Sequence, residues 1–157
     1  AMLVLSAGRE PHKIIGVEGA VMNNSVAMKI YDDGVRWLRF DIRLNSSYES
    51  YIKNLQHMGF KILGILDYQT LGVGIERGAC TKDCNWTLED WKNAVEEALE
   101  TYPNITAWEI WNEPEISEFQ SGMLDNGSPY GYFLIDREAY KEIKAKNQND
   151  IVICLGG

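Results

Sequence analysis

Residues 105–114, which read ITAWEIWNEP, decide how this chain is predicted to fold. Their β-branched and aromatic side chains favour a strand, and the strand is expected to stop at Glu113 because Pro114 has no N–H to donate to a sheet ladder. The amide of Asn112 and the carboxyl of Glu113 then lie side by side at the carboxyl end of that strand, where α/β proteins bind ligands. The pattern favours a functional site here over an accidental polar strand end.

The composition is that of one globular domain spanning residues 1–157. Twenty-three acidic residues against fifteen basic ones give a formal net charge of −8, which argues against nucleic acid and anionic membranes as partners. No apolar run approaches the length of a membrane span, and the short run Leu3-Val4-Leu5 lacks the basic flank and the length of a signal peptide. A neutral substrate fits this charge.

The three cysteines leave the redox state of the chain open. Cys80 and Cys84 form either a local disulfide or two free thiols, and Cys154 lies in an apolar run. His12 and His57 are far from them in sequence, so we predict no metal site, and no cofactor is implied. Five Asn-x-Ser/Thr triplets are weak evidence for an extracellular location, because the pattern is common by chance.

Strand and helix patterns alternate before residue 105. The first helix is predicted to turn Val26, Met28 and Ile30 towards the core and to end at Gly34. The predicted elements are a strand at 12–17, a helix at 25–33, a strand at 35–42, a second helix and a fully buried strand at 60–66. The second helix is predicted to be capped by Ser46 or Ser47 and to end at Gly59. Its predicted inner face consists of Tyr48, Ile52, Leu55 and Met58.

The same alternation continues after residue 66. Residues 67–86 and 115–129 are long, glycine-containing connections of the kind that carry function. A helix is predicted to start at Thr87, with Asp90 as its capping-box partner, and to end at Pro103. Its predicted buried residues are Trp91, Ala94, Val95, Ala98, Leu99 and Tyr102. The last two elements are a helix at 132–146 with Ile135, Ala139 and Ile143 inward, and a strand at 151–155.

The order βαβαβαβαβ predicts an α/β fold with a parallel sheet, either doubly wound or part of a (β/α)8 barrel. Gly16 and Gly19 after the first strand do not give the Gly-x-Gly-x-x-Gly spacing of a dinucleotide site, which weakens the case for a doubly wound protein of another function. Both long connections follow strands, as the loops that build barrel active sites do.

Three segments carry a resemblance to a known family: GVRWLRFDI at 34–42, AWEIWNEP at 107–114 and YFLIDREAYKEIKAKNQNDIVICLGG at 132–157. The chain resembles the first half of a retaining glycoside hydrolase of clan A, closest to families 39 and 5. The resemblance covers residues 12–157 and implies an incomplete TIM barrel containing about strands one to five.

The resemblance also implies roles for individual residues. Glu113 corresponds to the general acid/base, Asn112 to the amide that binds the sugar hydroxyl next to the anomeric carbon, and Arg39 to the arginine that supports the nucleophile. Trp111 and Tyr68 are expected sugar-stacking surfaces, although an indole beside a strand is as often part of the core. Trp108 is assigned to the core.

Three further carboxylates fall at predicted strand ends. Glu18 and Asp67 either line the substrate cleft or are solvated loop acids. Asp41 follows Arg39 by two residues, so their side chains share a strand face, and a structural ion pair is the favoured reading. None of the three matches the nucleophile of the family.

The family's nucleophile is a glutamate on the seventh strand, whereas this chain ends after the fifth. A retaining mechanism therefore requires a second half-barrel polypeptide or a second copy of this chain to close the barrel around the carbohydrate substrate. The alternative is a non-catalytic carbohydrate-binding or assembly protein built on a half-barrel.

Overall fold

A computed structural model gives the fold and describes residues 16–18, 22–76, 79–114 and 124–154. In chain order, the elements are β1 (Gly16–Glu18), α1 (Asn24–Asp32), β2 (Trp37–Asp41), α2 (Ser46–His57), β3 (Lys61–Leu66), β4 (Gly74–Glu76), β5 (Ala79–Lys82), α3 (Leu88–Thr101), β6 (Ala107–Ile110), a 3-10 turn (Leu124–Gly127), α4 (Pro129–Lys146) and β7 (Ile151–Cys154). No helix of the described ranges is long and apolar enough to cross a membrane.

The main sheet has five parallel strands in the order β1-β2-β3-β6-β7. Neighbours in the sheet therefore follow one another in the chain, apart from the inserted β4–β5 pair. Right-handed crossovers between such strands place every connecting helix on the same face. The mixed α/β class and the parallel sheet predicted from the sequence are confirmed.

The helices pack on the face of the sheet that carries Leu38, Phe40, Ile62 and Trp108. These side chains belong to one hydrophobic cluster with buried residues from all four α-helices. On the opposite face, Ile151 of β7 is 54% exposed. One face of the sheet is therefore covered by helices, and the described residues leave the other partly open.

Local capping explains where the helices begin. Thr87 and Asp90 form the predicted capping box at α3, with the Thr87 N–H donating to Asp90 Oδ2 at 2.7 Å. At α2 the cap is Asn45, which accepts from the Tyr48 N–H at 2.9 Å, so the prediction of Ser46 or Ser47 was wrong by one or two residues. Asparagine and serine are almost equally good caps, so the sequence does not separate them.

The predicted inner face of α1 was wrong. Val26 and Met28 are 47% and 59% exposed, whereas Ala27 is fully buried. Ile30 is the one predicted contact that packs partly against the core. In a helix of nine residues the apolar positions are too few to fix its rotation, and packing against the sheet decides it instead.

The connection from Asp67 to Trp86 contains structure that the sequence did not predict. β4 and β5 pair as an antiparallel hairpin, and Cys80 and Cys84 form a disulfide with their Cα atoms 5.8 Å apart. Of the two alternatives that the sequence left open for these cysteines, a disulfide or two free thiols, the structure has the disulfide. Its five-residue loop ties the end of the hairpin to the segment that enters α3.

β6 ends earlier than predicted, at Ile110 rather than Glu113. The Trp111 N–H still donates to the Leu66 carbonyl of β3 at 2.8 Å, but the chain then leaves the sheet. Trp108 is fully buried, as predicted for a core residue. The strand predicted at 12–17 is described only at its end, as Gly16–Glu18, and residues 12–15 lie outside the described part of the chain.

Candidate functional site

The turn that follows β6 has an unusual backbone. Trp111 has φ 63° and Glu113 has φ 48°, so two non-glycine residues in the left-handed region flank Asn112. Each such conformation costs on the order of 1–3 kcal/mol and persists where the surroundings fix it. Strain of this kind is concentrated at functional sites, which makes this turn a candidate functional site.

Arg39 of β2 and Glu109 of β6 form a two-point ion pair at the base of this turn. Arg39 Nε donates to Glu109 Oε2 at 2.7 Å, and Nη2 donates to Oε1 at 2.6 Å. The sheet register aligns Arg39 with Leu63 and Leu63 with Ala107, two residues before Glu109, so both side chains share one face. Glu109 is 2% exposed and Arg39 keeps 24% of its side chain accessible, so the pair is buried mainly on the carboxylate side.

Asn112 is connected directly to this ion pair. Its Oδ1 accepts from Arg39 Nη2 at 2.8 Å. Because the carbonyl end of the amide is engaged by the guanidinium, the NH2 end is the part available to a ligand oxygen. The structure therefore brings Arg39 and Asn112 together, and the contact orients Asn112 as a hydrogen-bond donor.

Glu113 is exposed at the end of the strained turn, whereas the following Pro114 is buried. Its backbone conformation is set between the oriented Asn112 and the buried proline ring. The apolar enclosure that a general acid requires is not provided by the described residues.

Trp111 and Tyr68 are in contact, but their surroundings differ. Trp111 is fully buried, with ring centroids 5.9 Å from Trp91, 6.4 Å from Trp86 and 6.3 Å from Tyr68. It has no exposed face on which a sugar could stack, so its expected role as a stacking surface does not fit the structure. Tyr68 is half-buried at the edge of this cluster and keeps accessible surface.

The indole N–H of Trp111 is buried without a hydrogen-bond partner among the described residues. Leaving such a donor unpaired costs about 1–3 kcal/mol, and most buried donors avoid that cost. The buried indole N–H of Trp111 is therefore a second energetic cost at the turn whose backbone is strained.

Asp67 is buried rather than exposed in a cleft. It is 1% exposed, and its Oδ1 accepts from the Gln69 N–H at 2.8 Å. Burial, and secondly the negative charge of Asp41, raise the pKa of Asp67 well above its usual range. Both readings from the sequence, a cleft-lining acid and a solvated loop acid, are therefore wrong for Asp67, which closes a turn at the end of β3.

Glu18 lies opposite Arg39 in the register of β1 with β2, and its side chain lies outside the described part of the structure. Asp41 is half-buried two residues beyond Arg39. The carboxylate that the structure pairs with Arg39 at two points is Glu109, not Asp41, because Glu109 reaches the guanidinium from β6, across β3 on the same face of the sheet.

Sequence reasoning did not single out Glu109. A usable signal was present, since Glu109 is the one charged residue of the apolar strand AWEI, and Arg39 interrupts the strand WLRFD in a similar way. Opposite charges in two buried strands of one sheet are expected to pair, because a buried charge without a partner is strongly unfavourable.

No family model matches this chain, and no curated protein matches its sequence. Within the described ranges, no group of three or more His, Cys, Asp or Glu side chains is arranged to bind a metal ion. Support for a functional site therefore comes from the geometry of the turn at residues 111–113.

Proposed function

We propose that this chain carries the acid/base half of the active site of a retaining O-glycoside hydrolase that acts on β-linked sugars. The observation that carries the proposal is the strained turn at the carboxyl end of β6, where Asn112 is oriented by Arg39 and Glu113 follows it. An oriented amide beside a carboxyl is the pair that such an enzyme needs next to the scissile bond.

Under this proposal, Glu113 protonates the leaving oxygen in the first step and removes a proton from water in the second. The Asn112 NH2 group donates to the hydroxyl beside the anomeric carbon, a contact that strengthens as charge develops in the transition state. Arg39 and Glu109 position Asn112, because the ion pair fixes the guanidinium that binds the amide oxygen.

The topology of the sheet supports the proposal that this fold is part of a (β/α)8 barrel. Strands in sequential order with all helices on one face are the arrangement of a (β/α)8 barrel, which typically takes about 250 residues. The partly open face and the edge strand β7 are where further strands would join. Where further strands are not part of the same polypeptide, a second half-barrel polypeptide is their proposed source, with a second copy of this chain as the alternative.

The nucleophile belongs to those further strands. Three carboxyls are buried among the described residues, and each is engaged: Glu109 by Arg39, Asp67 in a turn, and Asp150 by Asn147 and Trp108. None of the three is free to attack an anomeric carbon. The completing strands would also enclose Glu113. Native mass spectrometry of the active species tests this part, since it distinguishes a complex with a different polypeptide from a homodimer.

A non-catalytic carbohydrate-binding half-barrel is the second candidate. The exposure of Glu113 favours it, because a solvated carboxyl can bind sugar hydroxyls without acting as a general acid. It predicts sugar binding without hydrolysis.

The stereochemistry of hydrolysis tests the proposed function. The purified protein in its native assembly is given a β-linked aryl glycoside, and the first-formed anomer is followed by proton NMR before mutarotation. A double-displacement mechanism predicts that the β anomer appears first. An α anomer appearing first would overturn the retaining mechanism, and binding without any hydrolysis would favour the second candidate.

A further inference from the structure

Another concave surface lies beside the β4–β5 hairpin. It is an open cleft of about 1100 Å³, bounded by the loops after β2 and β3, by the end of the hairpin and by α3. Neither Asn112 nor Glu113 lines it, so it is separate from the turn after β6. Its size is comparable with the larger small-molecule sites of proteins.

Four side-chain amides contribute to the polar lining of this cleft. Asn45, Gln69, Asn85 and Asn93 approach it from four different segments. Asn85 and Asn93 each offer both a donor and an acceptor, which matches adjacent hydroxyl groups that do the same. Asn45 offers its NH2 group, since its Oδ1 already accepts from the Tyr48 N–H. Arg43 Nε donates to Gln69 Oε1 at 2.8 Å, so the orientation of that amide is already fixed.

Trp86 gives the cleft an aromatic wall. It is half-buried, and its ring lies 6.4 Å from Trp91 and 6.4 Å from Trp111, between centroids. Packing on these two indoles fixes its position while part of its surface stays accessible. A rigid, partly exposed indole is suited to the apolar face of a sugar ring.

The charges around the cleft argue against an anionic ligand. Three carboxylates, Asp83, Asp90 and Glu97, accompany two cations, Arg43 and Lys82. Lys82 is already paired with Asp83 at 3.4 Å. Phosphate groups and acidic peptides would meet a slight excess of negative charge, whereas a neutral polyhydroxylated ligand would not.

We propose that this cleft is a second carbohydrate site, which binds a neutral β-linked oligosaccharide away from the Asn112–Glu113 turn. The choice of a sugar among neutral ligands rests on the proposed function, whereas the separation of the two sites rests on the lining of the cleft. The Cys80–Cys84 disulfide fixes one wall, since Cys84 itself lines the cleft.

The test is a titration of the 15N-labelled protein in its native assembly with cellohexaose and, separately, with xylohexaose at millimolar concentration. The resonances expected to shift are the Trp86 indole N–H and the backbone amides of Gln69 and Asn93. Asn93→Ala should weaken binding about five- to tenfold, the effect of losing a hydrogen-bonding amide. The control is Glu100→Ala, an exposed position of the same helix outside the cleft, which should bind as the unchanged protein does.

The outcomes separate this inference from the hydrolase proposal. Cleft resonances that shift in a protein that hydrolyses no glycoside would support the second site while the hydrolase proposal fails. Shifts confined to Arg39 and Asn112, unaffected by Asn93→Ala, would overturn the second site and leave the hydrolase proposal standing. No shift with either sugar would overturn the inference.

Discussion

At the scale of single residues, the Arg39 guanidinium connects the buried and the accessible parts of the site. It binds Glu109, which is 2% exposed, and Asn112, which is half-buried at the turn. The buried carboxylate keeps the guanidinium in one orientation, and the guanidinium in turn orients the amide. Such two-point contacts between arginine and carboxylate add directional precision as well as energy.

Removing Glu109 should destabilise the fold more than removing a surface acid. Breaking a buried ion pair costs about 3–5 kcal/mol, and the partial exposure of Arg39 reduces the expected cost of Glu109→Ala to about 2–4 kcal/mol. The control is Glu49→Ala, whose partner is Lys53 on the surface of α2 and which should cost less than about 1 kcal/mol. Urea denaturation measures both, and equal losses would contradict the structural role of Glu109.

The buried Asp67 predicts a stability that falls as pH rises. Because burial raises the pKa of Asp67 in the folded state, the folded protein retains a proton that the unfolded chain releases above about pH 4. Each pKa unit of difference lowers stability by about 1.4 kcal/mol once the pH exceeds both pKa values. Asp67→Asn keeps the oxygen that accepts from the Gln69 N–H but has no proton to release. The variant should therefore gain stability over the unchanged protein at neutral pH, and this gain should be larger than at pH 4. Urea denaturation at the two pH values checks this, and a gain that does not change with pH would contradict it.

At the scale of elements, the capping box of α3 and its long apolar face were predictable from the sequence. The Thr87–Asp90 box and the buried face of α3 follow from local chemistry and from 14 residues of periodic pattern. The face of α1 and the end of β6 were not predictable in the same way. Packing sets the rotation of a nine-residue helix, and the left-handed conformation of Trp111 that ends the pairing is unusual for a tryptophan.

The contact between α4 and the preceding 3-10 turn gives a prediction in which two effects oppose each other. Alanine is favoured over glycine inside a helix by about 1 kcal/mol, but a Cβ at Gly131 would lie 2.1 Å from the Leu124 carbonyl oxygen. A backbone atom cannot move away cheaply, so Gly131→Ala should be destabilising by about 1–3 kcal/mol in a thermal or urea melt. In the control, Gly16→Ala, the nearest atom is the Trp37 Cβ at 3.4 Å, and the effect should be smaller. A stabilised Gly131→Ala variant would show that the contact is not tight.

At the scale of the whole molecule, the alternation of strands and helices was enough to predict a parallel sheet. The strand order β1-β2-β3-β6-β7 follows from the tendency of consecutive strands to be neighbours. The inserted hairpin was not predicted, because its strands have only three and four residues and lie in a glycine-containing segment. Closure into a barrel remains part of the proposal, since it depends on strands beyond these five.

The position of the candidate site was predictable from the sequence, but the contacts between its side chains were not. The sequence placed Asn112 and Glu113 at the carboxyl end of one strand and Arg39 on another, and the structure brings Arg39 and Asn112 together across β3, which lies between β2 and β6. It could not provide the Arg39–Glu109 pair, which joins residues 70 positions apart, or the burial of Trp111 under two other indoles. Contacts of that kind depend on the register of the sheet.

The most direct test of Glu113 as the general acid/base is the leaving-group dependence of Glu113→Gln. In the native assembly, the variant should lose most of its turnover of an unactivated β-linked oligosaccharide, because the leaving oxygen needs a proton there. An aryl glycoside with a nitrophenolate leaving group needs no such proton, so its glycosylation step should be much less affected. That difference is the result the account predicts, and an equal loss on both substrates would contradict it.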